Sequence, residues 1–279
     1  MASVFKAGHT AVITGGASGI GLSLAKKCFE YGMKVLVADW DDETLGQASK
    51  NVGGEIGTIK VDVSKTDDWA TLKGRVDKDF NGQINLLALN AGIGSSSSWE
   101  DPQSFQRIMD VNLFGVINGI STFLPTVKST ATSSPTAIII TGSKQGITNP
   151  PGNPAYNASK SAVKTLAEHL SFDLRAEKNV SVHLLVPGWT FTGLSGNRPG
   201  AGKDLPKGAW WPDQVVDFLE EKMKEGKFWV LCPDDQVTEE LDRKRMLWGA
   251  SDAIEGRPPL TRWRDEWKDK HQKWLDEQR

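Results

Sequence analysis

The chain has 279 residues, with 33 Lys plus Arg against 35 Asp plus Glu and a formal charge of −2. So even a balance excludes a broad electrostatic grip on nucleic acid or on an anionic membrane surface. Two cysteines, Cys28 and Cys232, exclude a disulfide scaffold and a cysteine-rich zinc site, and the four scattered histidines have no HExxH spacing, so no metal is expected. In chain order, Thr10–Thr14 (TAVIT) reads as a short buried strand bounded by glycines. After it, Ile20, Leu24, Ala25 and Cys28 recur at helical spacing, and Lys34–Asp39 (KVLVAD) is again strand-like. Strand, glycine turn, helix and strand within about thirty residues make a βαβ unit. Further strands are expected at residues 58–63, 84–89, 137–141, Val180–Val186 and 228–231. Helices are expected between them, at 69–80, 103–127, 155–177 and 213–224. Near-continuous apolar strands alternating with amphipathic helices imply an α/β fold, a doubly wound parallel sheet of Rossmann type.

From about Asp234 the pattern changes. The remaining residues are rich in charge, carry Trp248, Trp263, Trp267 and Trp274, and contain a break at Pro258 and Pro259. We read residues 1–235 as one dinucleotide-binding and catalytic domain. Residues 236–279 read as a C-terminal helical extension too short for a core of its own. The N-terminus lacks a secretory profile, no run of 18 apolar residues is present, and the C-terminal DEQR matches no sorting signal. A cytoplasmic protein with reduced thiols is the expectation.

Residues 14–21 read TGGASGIG, between a strand and a helix. Gly15 permits the turn, Gly19 lets the backbone approach a phosphate, and Gly21 lets the helix pack on the strand. The N–H groups around Ser18 and Ile20, at the helix N-terminus, favour a pyrophosphate. Asp39 ends the second strand, where its carboxylate accepts the adenosine ribose hydroxyls and repels a 2′-phosphate. No Lys or Arg occupies the glycine turn and Trp40 follows Asp39, so NAD is the expected cofactor.

The aromatics are skewed: eleven Trp and ten Phe, but only two Tyr, Tyr31 and Tyr156. A mechanism that needs a phenol has two candidates. Tyr31 reads as helix-end packing. Tyr156 stands in YNASK, where Lys160 shares its helical face. A phenol ionises near pH ~10, too high for a base at neutral pH, and a fixed ammonium beside it stabilises the phenolate. Ser143 lies at the end of a strand, where its hydroxyl can hold a substrate oxygen while Tyr156 exchanges the proton.

With these motifs in order, the sequence resembles the short-chain dehydrogenase/reductase family, in its branch of roughly 250-residue chains. The series is TGGASGIG, Asp62 and Val63, NAG at 90–92, Asn112 within VNLFG, Ser143, YNASK, and Pro187 and Gly188 followed by Thr192. The resemblance implies that Asp62 and Val63 hold the adenine. It implies that Asn90, Ala91 and Gly92 support the sheet and the cofactor ribose. Asn112 would hold a water that passes protons from Tyr156 through Lys160 to solvent. Lys160 would bind the nicotinamide ribose. Thr190, Thr192 and the backbone after Pro187 and Gly188 would fix the carboxamide. Leu89 replaces the first Asn of the family's NNAG motif, which puts one supporting hydrogen bond in question.

The implied activity is an NAD-dependent interconversion of a secondary alcohol and a ketone, with Tyr156 as general acid/base. Two other readings stand beside it: a non-catalytic nucleotide-sensing protein, and an NADP-dependent carbonyl reductase. A lid is expected over residues 189–211, with Trp189, Phe191, Leu194, Trp210 and Trp211. Further walls are expected at 93–99, 144–147 and 149–153. An aromatic lid suits an apolar or ring-bearing substrate; an equal reading makes Trp210 and Trp211 staples to the following helix. Trp263, Trp267 and Trp274 fall at offsets that place them on one face of one tail helix. That face is expected to pack on the body or on a partner chain in a homo-oligomer, a dimer or tetramer. Residues 242–245 (DRKR) read as a solvated helical face.

Overall fold

The computed structural model describes residues 3–195, 204–234 and 237–278. Seven parallel strands form one sheet: β1 (Thr10–Thr14), β2 (Lys34–Asp39), β3 (Gly57–Lys60), β4 (Leu86–Leu89), β5 (Thr136–Thr141), β6 (Val180–Val186) and β7 (Trp229–Leu231). Their order is β3-β2-β1-β4-β5-β6-β7. Among the described residues, eight helices belong to this wound body. They are α1 (Gly19–Glu30), α2 (Asp42–Val52), α3 (Thr66–Phe80), α4 (Pro102–Met109), α5 (Gly115–Ala131), α6 (Lys144–Thr148), α7 (Pro154–Asp173) and α8 (Pro212–Lys224).

The strands are apolar on both faces, and each face builds its own core. Val12, Leu36, Leu87 and Ile138 pack with Trp69, Phe123 and Val163 on one side. Ala11, Ile13, Val35 and Ile139 pack with Leu24, Val215 and Leu219 on the other. Covering both faces is what a parallel sheet requires. Strand order reverses between β1 and β4, and the crevice beyond the carboxyl ends of these strands is where such folds place ligands.

Several boundaries differ from the sequence reading. The third strand stops at Lys60 rather than at residue 63. Val61 still donates its N–H to the Asp39 carbonyl at 2.8 Å, but then Asp68 accepts the Asp62 N–H at 2.7 Å and Asp62 accepts from Ser64, so the chain leaves the sheet after Val61. The single helix expected at 103–127 is α4, a π-helical turn over Asp110–Phe114, and α5. The helix expected to reach residue 177 ends at Asp173, where a chain of turn hydrogen bonds from Leu174 to Val180 starts β6. Helix α2, capped by the Asp41 side chain, has no counterpart among the expected helices. The stretch Pro102–Ala131 is long and apolar enough to cross a membrane by length and composition. In the fold, its Val116, Phe123 and Val127 belong to the core.

Beyond β7 lie α9 (Glu239–Ile254), two single 3₁₀ turns (Thr261–Trp263 and Asp265–Trp267) and α10 (Lys268–Glu277). Trp263, Trp267 and Trp274 therefore do not share one helix face. Leu260 has a positive φ of 61° and Arg264 is extended, so the chain changes direction twice before α10 begins. The aromatic centre of the extension is Trp248 instead. It is 3% exposed, with Trp274 at 5.3 Å, His271 at 5.0 Å and the Arg257 guanidinium at 4.0 Å. Tyr31 ends α1, tilted against Phe5 with its hydroxyl on Glu220. Both cysteines are free and buried.

Candidate active site

One large cleft, about 1190 Å³, opens beyond the carboxyl edge of the sheet at the β1/β4 reversal. At one end the glycine turn forms its floor. Gly15 (φ 61°) and Gly19 (φ 52°) adopt left-handed backbone that disfavours other residues. A Cβ on Gly21 would overlap the Gly15 carbonyl oxygen and lie 2.7 Å from Asn90 Nδ2. A Cβ on Gly19 would sit 3.0 Å from Thr192 Cγ2, so the lid segment closes directly on the turn. These contacts leave bare backbone and the α1 N-terminus facing the cleft, a cradle suited to a pyrophosphate.

Asp39 stands at the next station, 8% exposed. Ala17 donates its N–H to Oδ2 at 3.1 Å, and Trp40 donates to Oδ1 at 2.8 Å. Burial raises the Asp39 carboxyl above its ordinary range, and these backbone donors oppose the rise. Asp41 donates a longer bond to Oδ1 at 3.5 Å, so Oδ2, with one donor, keeps a lone pair for a hydroxyl. Asp62 commits Oδ1 to the Ser64 N–H and hydroxyl and, with Val63, lines the same end of the cleft.

Asn90 braces the centre. Its Nδ2 donates to the Thr14 carbonyl at 3.2 Å and the Gly15 carbonyl at 3.3 Å, while its Oδ1 accepts from Thr141 Oγ1 at 3.1 Å. One side chain thus ties β1, β4 and β5 together under the glycine turn. Leu89 is 2% exposed and packs in the core, and Thr14 Oγ1 accepts the N–H groups of both Asn90 and Ala91. The bond that Leu89 put in question is not needed for this brace.

The chemical residues gather at the opposite end. Ser143 leaves β5 in extended backbone and caps α6, accepting the Gln145 N–H at 3.1 Å. Asn153 caps α7 and also bonds Ser97 and the Ser95 carbonyl, so the loop after β4 and the start of α7 are fixed together. Tyr156 rises from the first turn of α7, and Lys160 follows one turn on. Burial raises the Tyr156 hydroxyl above its ordinary value, and a hydrogen bond with the Ser143 side chain lowers it. Lys160 is 5% exposed and donates Nζ to the Thr141 carbonyl at 2.9 Å. Burial lowers its pKa to about 8. Its ammonium lies 5.9 Å from the Tyr156 ring centre.

Of the residues singled out in the sequence, Gly15, Ser18, Gly19, Ile20, Asp39, Asp62, Val63, Asn90, Ala91, Gly92, Ser143, Tyr156, Lys160, Pro187, Gly188, Thr190 and Thr192 all line this cleft. Gly21 and Asn112 lie behind it. Asn112 sits in the π turn, fully buried, with Oδ1 on the Ile93 N–H and Nδ2 on the Ile93 carbonyl and Ser159 Oγ. Its side chain is committed to Ile93 and Ser159.

The expected lid divides. Trp189 and Leu194 line the cleft and are half exposed. Trp210 packs on Phe218 of α8 at 6.1 Å and Trp211 on buried Phe191 at 5.5 Å, the stapling role. Residues 196–203 lie outside the described part. Of the expected walls, Ile93, Gly94, Lys144, Gln145 and Asn153 line the cleft, while Trp99 is 81% exposed and stacked on Phe105 outside it. Gln103, Gln106 and Arg107 of α4 also reach the cleft without having been singled out. Their i, i+3, i+4 spacing on a helix is the signal that marks them as one face.

A dinucleotide cradle at one end and a Ser–Tyr–Lys cluster at the other define a nicotinamide-dependent oxidoreductase class. The family model described as short chain dehydrogenase matches residues 9–201, and the chain belongs to that family. It is 34% identical over 208 residues to a 3β-hydroxysteroid dehydrogenase of Eggerthella lenta, covering 72% of this chain and 78% of that one. It is 31% identical over 238 residues to a 3-dehydrosphinganine reductase of Arabidopsis thaliana, covering 79% and 68%. An NADP-dependent (R)-specific alcohol dehydrogenase of Lentilactobacillus kefiri is 32% identical, with 70% and 78% covered. Among solved structures, a short-chain dehydrogenase/reductase of Burkholderia phymatum in complex with NAD superposes with a TM-score of 0.79 at 28% identity, covering 91% and 96%.

Proposed function

We propose that this protein interconverts a secondary alcohol and a ketone with NAD, and that Tyr156 carries the proton. The observation that supports it most is the joining of Ser143, Tyr156 and Lys160 in one cleft with the glycine cradle. Gly15, Gly19, Ser18 and Ile20 would hold the pyrophosphate, Asp39 the adenosine ribose, and Asp62 and Val63 the adenine. Lys160 would hold the nicotinamide ribose, and Thr190, Thr192 and the backbone of Gly188 the carboxamide. The nicotinamide supplies the hydride acceptor or donor at this site.

Tyr156 takes the hydroxyl proton in the oxidative direction and returns it in the reductive one. Its phenol needs help in the protein alone, because burial holds its proton on. That help comes from the Ser143 hydrogen bond, from the Lys160 ammonium, and from the positive charge of an oxidised nicotinamide. Ser143 holds the substrate oxygen as its charge changes. A water near Asn112 would connect Lys160 with solvent.

Asp39 favours NAD over NADP, since a carboxylate at this position repels a phosphate dianion. Ile93, Val111, Trp189 and Leu194 at the mouth suit an apolar or ring-bearing substrate. The relatives named as a 3β-hydroxysteroid dehydrogenase and a 3-dehydrosphinganine reductase agree with such a mouth. For assembly, Phe172 on α7 is 61% exposed and Phe114 before α5 is 47% exposed, apolar surface suited to a homo-oligomer contact.

The decisive variant is Tyr156→Phe. Turnover of a responsive alcohol in an NADH-fluorescence screen should fall about 10²–10⁴-fold, while NADH binding by fluorescence titration stays near that of the parent. Full activity in the variant would refute the proton-carrier role. NADPH binding tighter than NADH would refute the reading of Asp39.

A further inference from the structure

The charged run at 242–245, which reads as a solvated face in the sequence, is not one. Asp242 is fully buried, and its Oδ2 lies 3.0 Å from Lys144 Nζ. Lys144 Nζ also meets Asp234 Oδ2 at 3.1 Å. Arg245 reaches the other Asp242 oxygen at 3.3 Å. Lys144 is the residue directly after Ser143 and the first residue of α6, the helix that Ser143 caps.

Three further contacts make this cluster part of the site's scaffold. A Cβ on Gly188 would stand 2.7 Å from Asp234 Oδ2 and 3.1 Å from Lys144 Cε, so the pair is pressed against the Pro187 and Gly188 backbone at the nicotinamide end. At the far end of α6, the Thr148 carbonyl accepts Trp263 Nε1 at 3.4 Å. On its inner side, a Cβ on Gly146 would stand 2.7 Å from the Lys160 backbone carbonyl, and Ser161 Oγ donates to the Gly146 carbonyl at 3.0 Å. The short helix is thus wedged between Lys160 on α7 and the C-terminal extension, with both its ends in the extension's grip. A helix of five residues has little cooperative stability of its own. What holds it in place also sets where its cap, Ser143, points.

We propose that the C-terminal extension is a positioning element of the active site: Asp242, with Asp234, anchors Lys144 and so aims Ser143 at Tyr156. Lys144 and Asp242 are positioning residues. Neither exchanges a proton with substrate. The proposal rests on the reading of Ser143 and Tyr156 given above. Its readout is chosen to need no substrate, so it can fail while that reading stands.

The two-tyrosine composition supplies the readout. Tyr31→Phe leaves Tyr156 as the single tyrosine, and Tyr31 lies on α1 and Glu220, away from the cleft. With ring-labelled tyrosine, the Cζ resonance of Tyr156 reports its hydrogen bonding and its ionisation directly by 13C NMR. In this background, Asp242→Asn and Lys144→Met are compared from pH 6 to 10.5, with Ser143→Ala as the reference for a lost hydrogen bond. If Lys144 positions Ser143, both substitutions move Tyr156 toward the Ser143→Ala position and lower its ionised fraction at high pH. A purely electrostatic role for Lys144 would move them in opposite directions, since one removes a cation and the other uncovers it. Opposite shifts overturn the proposal. So do resonances that coincide with the parent in both variants. Asp242→Glu, which keeps the charge, should recover part of the parent spectrum, and its failure to differ from Asp242→Asn would count against the geometry. An unfolded Asp242→Asn chain, seen by loss of far-ultraviolet circular dichroism, leaves Lys144→Met to decide, because Arg245 still pairs with the Asp242 carboxylate in that variant.

Discussion

At the residue scale, Lys160 is a cation buried at the candidate site at a cost in stability. It is 5% exposed, and its one hydrogen bond among the described contacts goes to a neutral carbonyl, that of Thr141. Burial therefore lowers its pKa from 10.5 to about 8. The sign follows from linkage. Between about 8 and 10.5 the unfolded chain binds the proton and the folded chain does not, so stability rises with pH across that window. Below it, the buried ammonium costs up to about 3 kcal/mol. Lys160→Met should therefore raise the melting temperature at pH 7, with the gain shrinking toward pH 10.5, and should cut turnover by about 10²–10⁴-fold. Melting followed by circular dichroism at both pH values checks the first part. A variant less stable than the parent at pH 7 would mean that the bond to Thr141 outweighs desolvation. That Lys160, Tyr156, Ser143 and Asp39 belong together was legible from motif spacing, and they do line one cleft. The partnership of Lys144 with Asp242 was not. It joins distant parts of the chain, and DRKR carries no local sign that its first residue turns inward.

At the element scale, the same contrast separates strands from connections. β1, β2 and β6 have the boundaries that apolar runs between glycines, charges and prolines predict. The π turn was invisible, because the apolar spacing runs through Asp110–Phe114 without interruption and the change is only in which backbone groups pair. The tail stripe misled for the opposite reason. Trp263, Trp267 and Trp274 have helical spacing, but the extended Arg264 between two single 3₁₀ turns breaks the backbone that would give it meaning. The strand–turn–helix unit was legible in full, and its tightest point gives a prediction. A methyl on Gly21 would overlap the Gly15 carbonyl and crowd Asn90. Backbone cannot yield as a flexible side chain can, so Gly21→Ala should push α1 off β1. NADH affinity is expected to fall at least about tenfold, or about 1.4 kcal/mol, with a lower melting temperature. Parent-like affinity in a fluorescence titration would show that the turn accommodates a side chain after all.

At the scale of the whole molecule, the sheet order decides where the site is, and the C-terminal extension contributes to how firmly it is built. The reversal between β1 and β4 opens the crevice, and the loops after β1, β2, β4, β5 and β6 all meet there. The extension has an inner framework in which Asp252 accepts from Thr261, Thr261 Oγ1 accepts from Trp248 Nε1, and Arg257 donates to the Trp248 carbonyl. It meets the body at α6, through Asp242 and Trp263. The exposed Phe114 and Phe172 are carried instead by the helices on the sheet's flank. These are two separate surfaces, so removing one should spare the other. A chain ending at Asp234 loses a buried partner of Lys144, and breaking a buried ion pair costs about 3–5 kcal/mol. For a body of this size each kcal/mol shifts melting by about 2–4 °C. The truncated chain should therefore melt at least about 5 °C lower while keeping the parent's mass by light scattering, allowing for the residues removed. Dissociation with unchanged melting would assign the extension to assembly and leave α6 to hold its position alone.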